Sequence, residues 1–301
     1  MYLSICADGD STMRPLLPGD DMSDFRTTII RNLRAIYGRA YVRVVGVNRE
    51  LSWIVFDVFF PMFSIAAYVM VYLAVVEDPI VRDTMIIRVI LGGAMIAFWT
   101  NVLWGMGANF YFEKEHGNLA LYMMAPISRM AILLGMALGG MFNTTIRAIS
   151  TILLGAVIFG VSFAVSAPIE LILVFIFTLA ALYGMGMLFA SLFLMWGREA
   201  WHTANLFQEP VFFLSGFYFP VRALGYTVGL CAGIIPITLG LDAMNQILGT
   251  SAALRFALFP VDLEIYALIG LTVFYFLLAR YMLAYMENMA KREGRLTLQQ
   301  Q

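Results

Sequence analysis

FEKEHGNLALYMMAPISR, residues 112–129, is a polar island between two long apolar blocks. A helix needs about 20 apolar residues to cross a bilayer, and each flanking block is long enough to do so. The polar island therefore lies at one membrane surface. Whatever it contacts is soluble and lies close to the bilayer.

The composition of the whole chain is that of a polytopic membrane protein. Its 301 residues are 61% hydrophobic and 13% charged, with a mean hydropathy of +0.82. Soluble domains contain about 45–50% apolar and about 25% charged residues. The sequence thus predicts an all-α membrane protein. A formal net charge of -1 excludes a nucleic-acid polyelectrolyte.

The N-terminal region precedes the first apolar block. Residues 1–22 lack an apolar core of signal-peptide length, so we expect a disordered cytoplasmic N-terminus. Residues 23–50 are predicted to form a basic interfacial helix, with arginines on the faces beside its apolar stripe. The stripe consists of Phe25, Ile29, Leu33, Ile36, Ala40 and Val44. A cytoplasmic helix packed on another domain is the alternative.

Six transmembrane helices are predicted from the apolar runs. They cover residues 51–76, 85–107, 130–165, 169–196, 203–219 and 261–285, within a transmembrane domain of residues 51–287. Residues 288–301 form a tail. Lysines and arginines concentrate on one side, which places both termini and the polar island in the cytoplasm, and the protein in the cell inner (plasma) membrane.

The external segment 219–260 is largely apolar but is broken by prolines and glycines. We expect two re-entrant half-helices that dip into the outer leaflet, because helical segments satisfy their own backbone. Gly216, Pro220, Pro236 and Asp242 mark this re-entrant segment. A hairpin of two ordinary spans is the alternative.

Several polar residues interrupt the apolar runs, where they are costly and commonly face a bundle interior. They include Asp57, Arg88, Asn143, Arg147, Gln208 and Glu209. Asn143 and Arg147 share a helix face, and Arg147 is expected to pair with Glu209 or Asp57. Arg88 and Asp57 are expected to snorkel near span ends. Close helix packing is predicted at Gly135, Gly139, Gly140, Gly184 and Gly186.

Catalytic patterns are missing from the sequence. It has no P-loop, no HExxH and no GxSxG motif. His116 and His202 occupy separate loops without neighbours at metal-ligand spacing. We therefore predict no metal site, no directly bound cofactor and no catalysis by this chain alone.

The order of these parts resembles the ABC-2 type permeases, the membrane subunits of type V ABC exporters, and most closely their drug and oligosaccharide exporter branch. The family pattern E-x-G-T-L-E-x-L followed by P-x-S-R is matched at Glu115, Gly117, Leu119, Pro126, Ser128 and Arg129. Asn118 and Ala120 depart from it. The run LSGFYFP, residues 214–220, is similar to the family signature after the fifth span.

The resemblance implies that the polar island contains a coupling helix that docks on a cytoplasmic ATPase. The implied ATPase-coupling residues are Glu113, Lys114, Glu115, His116, Gly117, Leu119, Tyr122 and Arg129. Two copies of a P-loop ABC ATPase, which hold the ATP and Mg, are the expected partners. A second permease copy, as homodimer or heterodimer, and membrane lipids complete the expected assembly.

The resemblance also implies a substrate pathway for a hydrophobic or amphiphilic compound, such as a drug, lipid or glycolipid, exported by alternating access. The candidate pathway residues are Phe98, Trp99, Asn101, Asn143, Arg147, Phe207, Gln208, Glu209, Phe212 and Phe213. Alternatives are an exporter of lipid-linked polysaccharide and an ion-coupled secondary transporter that uses Asp57 and Glu209. A membrane scaffold and an intramembrane enzyme complete the alternatives.

Overall fold

The computed structural model describes residues 20–49, 51–108, 113, 116–196, 200–249 and 252–292. These residues form helices joined by short turns. The helices are α1 (Asp20–Asn48), α2 (Leu51–Val75), α3 (Pro79–Thr100), α4 (Asn118–Met124), α5 (Arg129–Phe159), α6 (Pro168–Trp196), α7 (Ala200–Leu214), α8 (Tyr226–Ala232), α9 (Pro236–Leu248) and α10 (Val261–Arg292). A π-helix, Asn101–Ala108, continues α3, and 3-10 turns occupy Val221–Leu224 and Ala253–Phe256.

Four helices of the described chain are long and apolar enough to cross a membrane. They are Pro79–Gly107, Arg129–Phe159, Pro168–Phe193 and Val261–Tyr285, which correspond to four of the six predicted spans. The pair α8 and α9 is bent by 114° and makes a fifth candidate if it is counted as one span. The described apolar part of α2, Phe59–Val75, and the 15-residue α7 are shorter, so those two spans stay predictions.

Glycines let α1 pack closely along the first half of α5. A Cβ added at Gly135 would lie 2.8 Å from the carbonyl oxygen of Ile36, and one at Gly139 would lie 2.9 Å from that of Ala40. Both helices advance by four residues between the two contacts, so they run in the same direction. Close packing is confirmed here and at Gly140, Gly184 and Gly186, which adjoin Asn101, Tyr275 and Val102 respectively.

The core lies around α3, its π-helical continuation and α6. Helix α6 packs against α10, α9 and the π-helix, whereas α5 packs against α1, α2 and α3. Phe98 and Trp99 are fully buried at the end of α3. The ring of Phe98 meets Phe175 edge-on at 5.7 Å between centroids, which joins α3 to α6.

Arg88 is buried in the core and does not snorkel, so that prediction is wrong. Asp78 caps α3 by accepting a hydrogen bond from the backbone nitrogen of Ile80 at 2.9 Å, and Pro79 begins the helix. The helix therefore starts before residue 85, and Arg88 lies deeper than the sequence indicated. Its guanidinium is 1% exposed and donates to Asp242 in α9 at 3.2 Å.

The Arg88–Asp242 ion pair belongs to a buried polar cluster. Asp242 also accepts a hydrogen bond from the backbone nitrogen of Leu258 at 2.7 Å. Gln246 donates to Glu264 at 3.2 Å, and Glu264 is fully buried in the first turn of α10. The cluster therefore ties α3, α9 and α10 together, because buried charges are stable only with such partners.

Candidate coupling junction and membrane cavity

Two residues of the polar island define how the chain enters and leaves α4. Gly117, immediately before α4, has a φ of 77°, a left-handed conformation that favours glycine. Ser128 caps α5, because its hydroxyl accepts a hydrogen bond from the backbone nitrogen of Ala131 at 3.4 Å. The polar island thus contains a short helix, α4, and the chain turns before and after it at Gly117 and Ser128.

Glu113 lies against α1 and not in open solvent. Its side chain is 12% exposed and accepts charge-assisted hydrogen bonds from the guanidinium of Arg39. Asn118 donates to the same carboxylate at 2.7 Å, and Arg39 donates to the hydroxyl of Tyr122 at 2.9 Å. These four residues form the α1–α4 junction. Asn118, which departs from the family pattern, is part of it.

The charge of Glu113 is stabilised by this junction. Burial raises the pKa of the carboxyl, but the hydrogen bonds from Arg39 and Asn118 lower it by more, so the net shift is downward. The pKa of the Tyr122 hydroxyl is raised, first because of burial. Glu113 is therefore ionised and Tyr122 neutral around neutral pH, as the hydrogen bonds require.

A second contact fixes α1 on the other side of α4. The side-chain oxygen of Asn32 accepts a hydrogen bond from the backbone nitrogen of Ser128 at 2.8 Å. Asn32 and Arg39 are seven residues apart on α1, so they lie on one face of that helix. Side chains of α1 therefore contact the polar island on both sides of α4, at Glu113 and at Ser128.

A cavity of about 430 Å³ lies farther along α1, between α1, α2, α3 with its π-helix, and α5. Its lining comprises Arg43, Phe60, Pro61, Ile96, Ala97, Thr100, Asn101, Trp104, Gly105, Asn143 and Arg147. Three predicted pathway residues, Asn101, Asn143 and Arg147, thus meet at one site. They come from two helices that are far apart in the sequence.

Hydrogen bonds and one glycine shape the cavity wall. The hydroxyl of Tyr183 donates to the side-chain oxygen of Asn101 at 3.1 Å, and the indole nitrogen of Trp104 donates to Gln208 at 2.8 Å. A Cβ added at Gly105 would lie 2.5 Å from a terminal nitrogen of Arg43. Glycine at this position therefore leaves the space that the guanidinium occupies.

Two arginines line the cavity. Every ionisable side chain among the lining residues that the structure describes is an arginine, namely Arg43 and Arg147. The pKa of Arg43 is lowered, first by burial and then by the charge of Arg39, with a smaller effect of the same sign from Arg147. The site therefore holds positive charge that is partly withdrawn from water.

Comparison with known families identifies this architecture. Residues 30–248 match the ABC-2 type transporter family. The chain belongs to the ABC-2 type transporter family. It is a multi-pass membrane protein and the permease subunit of a transporter, and permeases of this kind pair with an ABC ATPase. Comparison with the curated proteins found no match.

The region that matches the ABC-2 family contains both sites described above, including α1 from residue 30 onward. Of the predicted ATPase-coupling residues, Glu113 and Tyr122 lie in the α1–α4 junction, His116 is exposed and Arg129 begins α5. Lys114 and Glu115 lie outside the described residues, as does the side chain of Leu119. Contact of this set with an ATPase stays a prediction.

The remaining pathway candidates of this ABC-2 permease are dispersed. Phe98 and Trp99 are core residues, and Phe207 packs on Phe189 with ring centroids 5.1 Å apart. Phe212 packs edge-on against Phe217, whereas Phe213 is exposed. Their role in a pathway stays a prediction.

The predicted ion pair between Arg147 and Glu209 is wrong. Glu209 is exposed on α7, and Arg147 lines the cavity. The ion pairs among the described residues are Arg39–Glu113 and Arg88–Asp242. The side chain of Asp57 lies outside the described residues, so neither its pairing with Arg147 nor its expected snorkelling is tested.

The residues predicted to mark the re-entrant segment occupy its turns and its buried helix. Gly216 has a φ of 71°, Pro220 precedes a 3-10 turn, and Pro236 begins α9. Asp242 is 2% exposed in α9 and holds Arg88. The segment therefore attaches to the core by an ion pair as well as by apolar contact.

Sequence reasoning missed Arg39, Arg43 and Trp104 as site residues. Arg39 and Arg43 are four residues apart and lie next to the apolar positions Ile36 and Ala40 on the helix surface. This spacing could have indicated that both arginines face the protein. Trp104 stood in an apolar run, where an aromatic residue usually packs in the core. Its indole nitrogen and its partner Gln208 become visible only in the folded chain.

Proposed function

We propose that this chain is the permease subunit of an ATP-driven exporter that moves a hydrophobic or amphiphilic substrate out of the cytoplasm or inner leaflet. The observation that carries the proposal is that α1 connects the two sites. Arg39 holds Glu113 beside α4, and Arg43, one helical turn later, lines the cavity. A displacement imposed on α4 therefore reaches the cavity through one rigid helix.

In this proposal α4 is the coupling helix, and two copies of an ABC ATPase bind beneath the permease. The support lies in the outward face of α4. Leu121 is 60% exposed and Met124 is 75% exposed, while Tyr122 between them faces α1. An exposed apolar surface on a short cytoplasmic helix suits a partner protein, and methionine adapts to a moving surface.

We place α2, α3, α5, α6, α7 and α10 across the inner membrane, with both termini in the cytoplasm. Helices α8 and α9 then form the re-entrant segment at the external side. Their 114° bend supports this arrangement, because the chain turns back by more than a right angle. Nearly every residue of α9 is buried, which shields its break from lipid.

A second permease copy covers the outer face of α7 in the proposed assembly. Leu206 is 71% exposed and Phe213 is 57% exposed, and Glu209 lies exposed between them. We place the exposed apolar side chains of Leu206 and Phe213 in this contact, because their burial against the second copy stabilises the dimer. Alternating access then arises from rearrangement of the two copies.

Reconstitution of the permease with candidate ABC ATPases from the same genome tests this function. With the ATPase outside the vesicles, we expect ATP to drive fluorescent amphiphiles into the lumen, which corresponds to export. An ATPase variant that lacks the P-loop lysine is the matched control and should move none. Transport that runs without nucleotide, or that follows a proton or sodium gradient, would contradict the proposal.

A further inference from the structure

We propose that the buried carboxyl groups of Asp242 and Glu264 hold one proton between them, and that this bound proton keeps α9 attached to α10. The inference does not depend on export, because it concerns how two helices of the permease are held together and not what crosses the membrane.

Charge balance is the first observation. The buried polar cluster contains one guanidinium, that of Arg88, and the two carboxyl groups of Asp242 and Glu264. All three side chains are at most 2% exposed. Arg88 balances the charge of Asp242, so an ionised Glu264 would leave a net negative charge out of water, where it is costly. One bound proton makes the cluster neutral.

The contact between the two carboxyl groups is the second observation. Asp242 and Glu264 lie within hydrogen-bond reach of each other. Ionised carboxylates only accept hydrogen bonds, so a bond between these two groups needs a proton on one of them. Gln246 keeps the groups together, because its amide nitrogen donates to Asp242 at 3.4 Å and to Glu264 at 3.2 Å.

The partners of the two groups indicate that Glu264 carries the proton. Asp242 accepts hydrogen bonds from the guanidinium of Arg88 and from the backbone nitrogen of Leu258, which stabilise its ionised form. Glu264 has a hydrogen bond with the backbone of Phe259, but its Oε1 is buried and has no donor within the part of the chain that the structure describes. Asp242 is therefore the better site for the negative charge.

Other charged groups at this end of the fold do not replace the proton. Those of the surrounding elements are mostly exposed, namely Asp83, Glu170, Arg222, Arg255 and Asp262. Arg82 is half-buried on α3, but no ion pair among the described residues joins it to either carboxyl group. Tyr72 faces Arg88 and donates its hydroxyl proton to the carbonyl oxygen of Tyr218, so it is neutral. Residues 250 and 251, outside the described residues, are threonine and serine and supply no charge.

Infrared spectroscopy of the purified full-length permease tests the proposal directly. A protonated carboxyl group has a C=O stretching band that is separate from those of carboxylates and amides, and the band shifts in heavy water. We expect wild type to show this band near neutral pH and Glu264→Gln to lack it. Asp262→Asn, at an exposed acid of the same helix, is the matched control and should keep the band. An equal band in wild type and Glu264→Gln, or none in wild type, would overturn the proposal.

The stability of Glu264→Gln at neutral pH is a second test. The carboxamide has nearly the shape of a protonated carboxyl group and is also neutral, so this variant should fold and resist chemical unfolding about as well as wild type. If Glu264 were ionised, the substitution would instead remove a charge from beside Arg88. A variant that fails to fold, or that is much less stable than wild type, would therefore overturn the proposal.

The pH dependence of unfolding in detergent is a third test. The unfolded chain exposes Glu264 to water, where a glutamate is ionised at neutral pH, so folding takes up one proton. The folding equilibrium constant of wild type relative to that of Glu264→Gln should then fall about tenfold for each unit by which the pH rises above neutral. The same pH dependence in both proteins would contradict a bound proton. A difference that follows the sodium concentration and not the pH would show a metal cation in its place.

Discussion

The guanidinium of Arg39 is paired with the carboxylate of Glu113, a residue 74 positions later in the chain. This pair joins α1 to the polar island just before α4, and Tyr122 in α4 accepts a further hydrogen bond from the same guanidinium at 2.9 Å. In the proposed mechanism, this junction makes α1 the mechanical link between α4 and the cavity.

The first prediction concerns pH. The folded-state pKa of Glu113 lies below its ordinary value of 4.5, so its ionised form contributes stability above pH 4.5 that is lost as the pH falls through the folded-state value. We expect wild type to exceed Glu113→Gln by about 2 kcal/mol in free energy of unfolding at neutral pH. Chemical unfolding of both proteins from neutral to acidic pH would measure this. A difference that grows on acidification would contradict the assignment.

The second prediction concerns the buried pair of Arg88 and Asp242. Asp242→Ala leaves an uncompensated buried guanidinium and should lower the free energy of unfolding by roughly 3 kcal/mol. Replacement of both residues by apolar ones, Arg88→Met with Asp242→Leu, should recover part of the loss. Asp262→Ala, an exposed residue of α10, is the control and should change stability little. Thermal and chemical unfolding in detergent would compare the variants.

The third prediction concerns the glycine contact between α1 and α5. Even a Cβ added at Gly139 would lie only 2.9 Å from the carbonyl oxygen of Ala40. The larger side chain of Gly139→Leu should therefore separate α1 from α5. The expected result is faster proteolysis within α1 and loss of transport. Gly38→Ala on α1 is the matched control, because a Cβ there meets nothing within 4 Å, and alanine favours the helix. Equal proteolysis of both variants would contradict this account.

The fourth prediction concerns the second copy. In a background with Cys6→Ser and Cys231→Ser, Leu206→Cys on the exposed face of α7 should form cross-linked dimers with a short bifunctional maleimide. Ile172→Cys is the control, because Ile172 is 58% exposed on α6, away from the proposed contact. Gel electrophoresis of treated membranes would resolve the dimers. Equal cross-linking at both positions would remove α7 as the contact surface.

Patterns within one helix were predictable from the sequence. The apolar runs indicated four of the helices that can span a membrane, and the glycines at 135 and 139 indicated close helix packing. The structure also explains two of the motif residues by local geometry. Gly117 has a left-handed backbone conformation, and Ser128 caps a helix. The apolar runs and the turn residues depend on neighbours in the sequence, whereas the glycines mark a surface for close packing without indicating that α1 packs there.

Contacts between distant segments were not predictable. The partner of Arg88 lies 154 residues away, and the sequence misplaced Arg88 because the start of α3 could not be read from hydropathy. Asn143 and Arg147 were chosen as polar residues in an apolar run, and Asn101 was chosen through the family resemblance, but their meeting in one cavity depends on how α3 and α5 pack. The sequence did not distinguish Arg43 from the other arginines of α1, because the burial of a side chain depends on the folded structure.

The ratio of substrate transported to ATP hydrolysed, in vesicles that contain the permease and its ATPase, tests the central claim most directly. Glu113→Arg should leave ATP hydrolysis measurable and lower the ratio at least roughly tenfold, because two like charges then face each other in the junction. Arg39→Glu combined with Glu113→Arg restores opposite charges and should recover most of the ratio. Arg34→Glu, at an exposed position of α1, should leave it unchanged. A wild-type ratio in Glu113→Arg would contradict coupling through the α1–α4 junction.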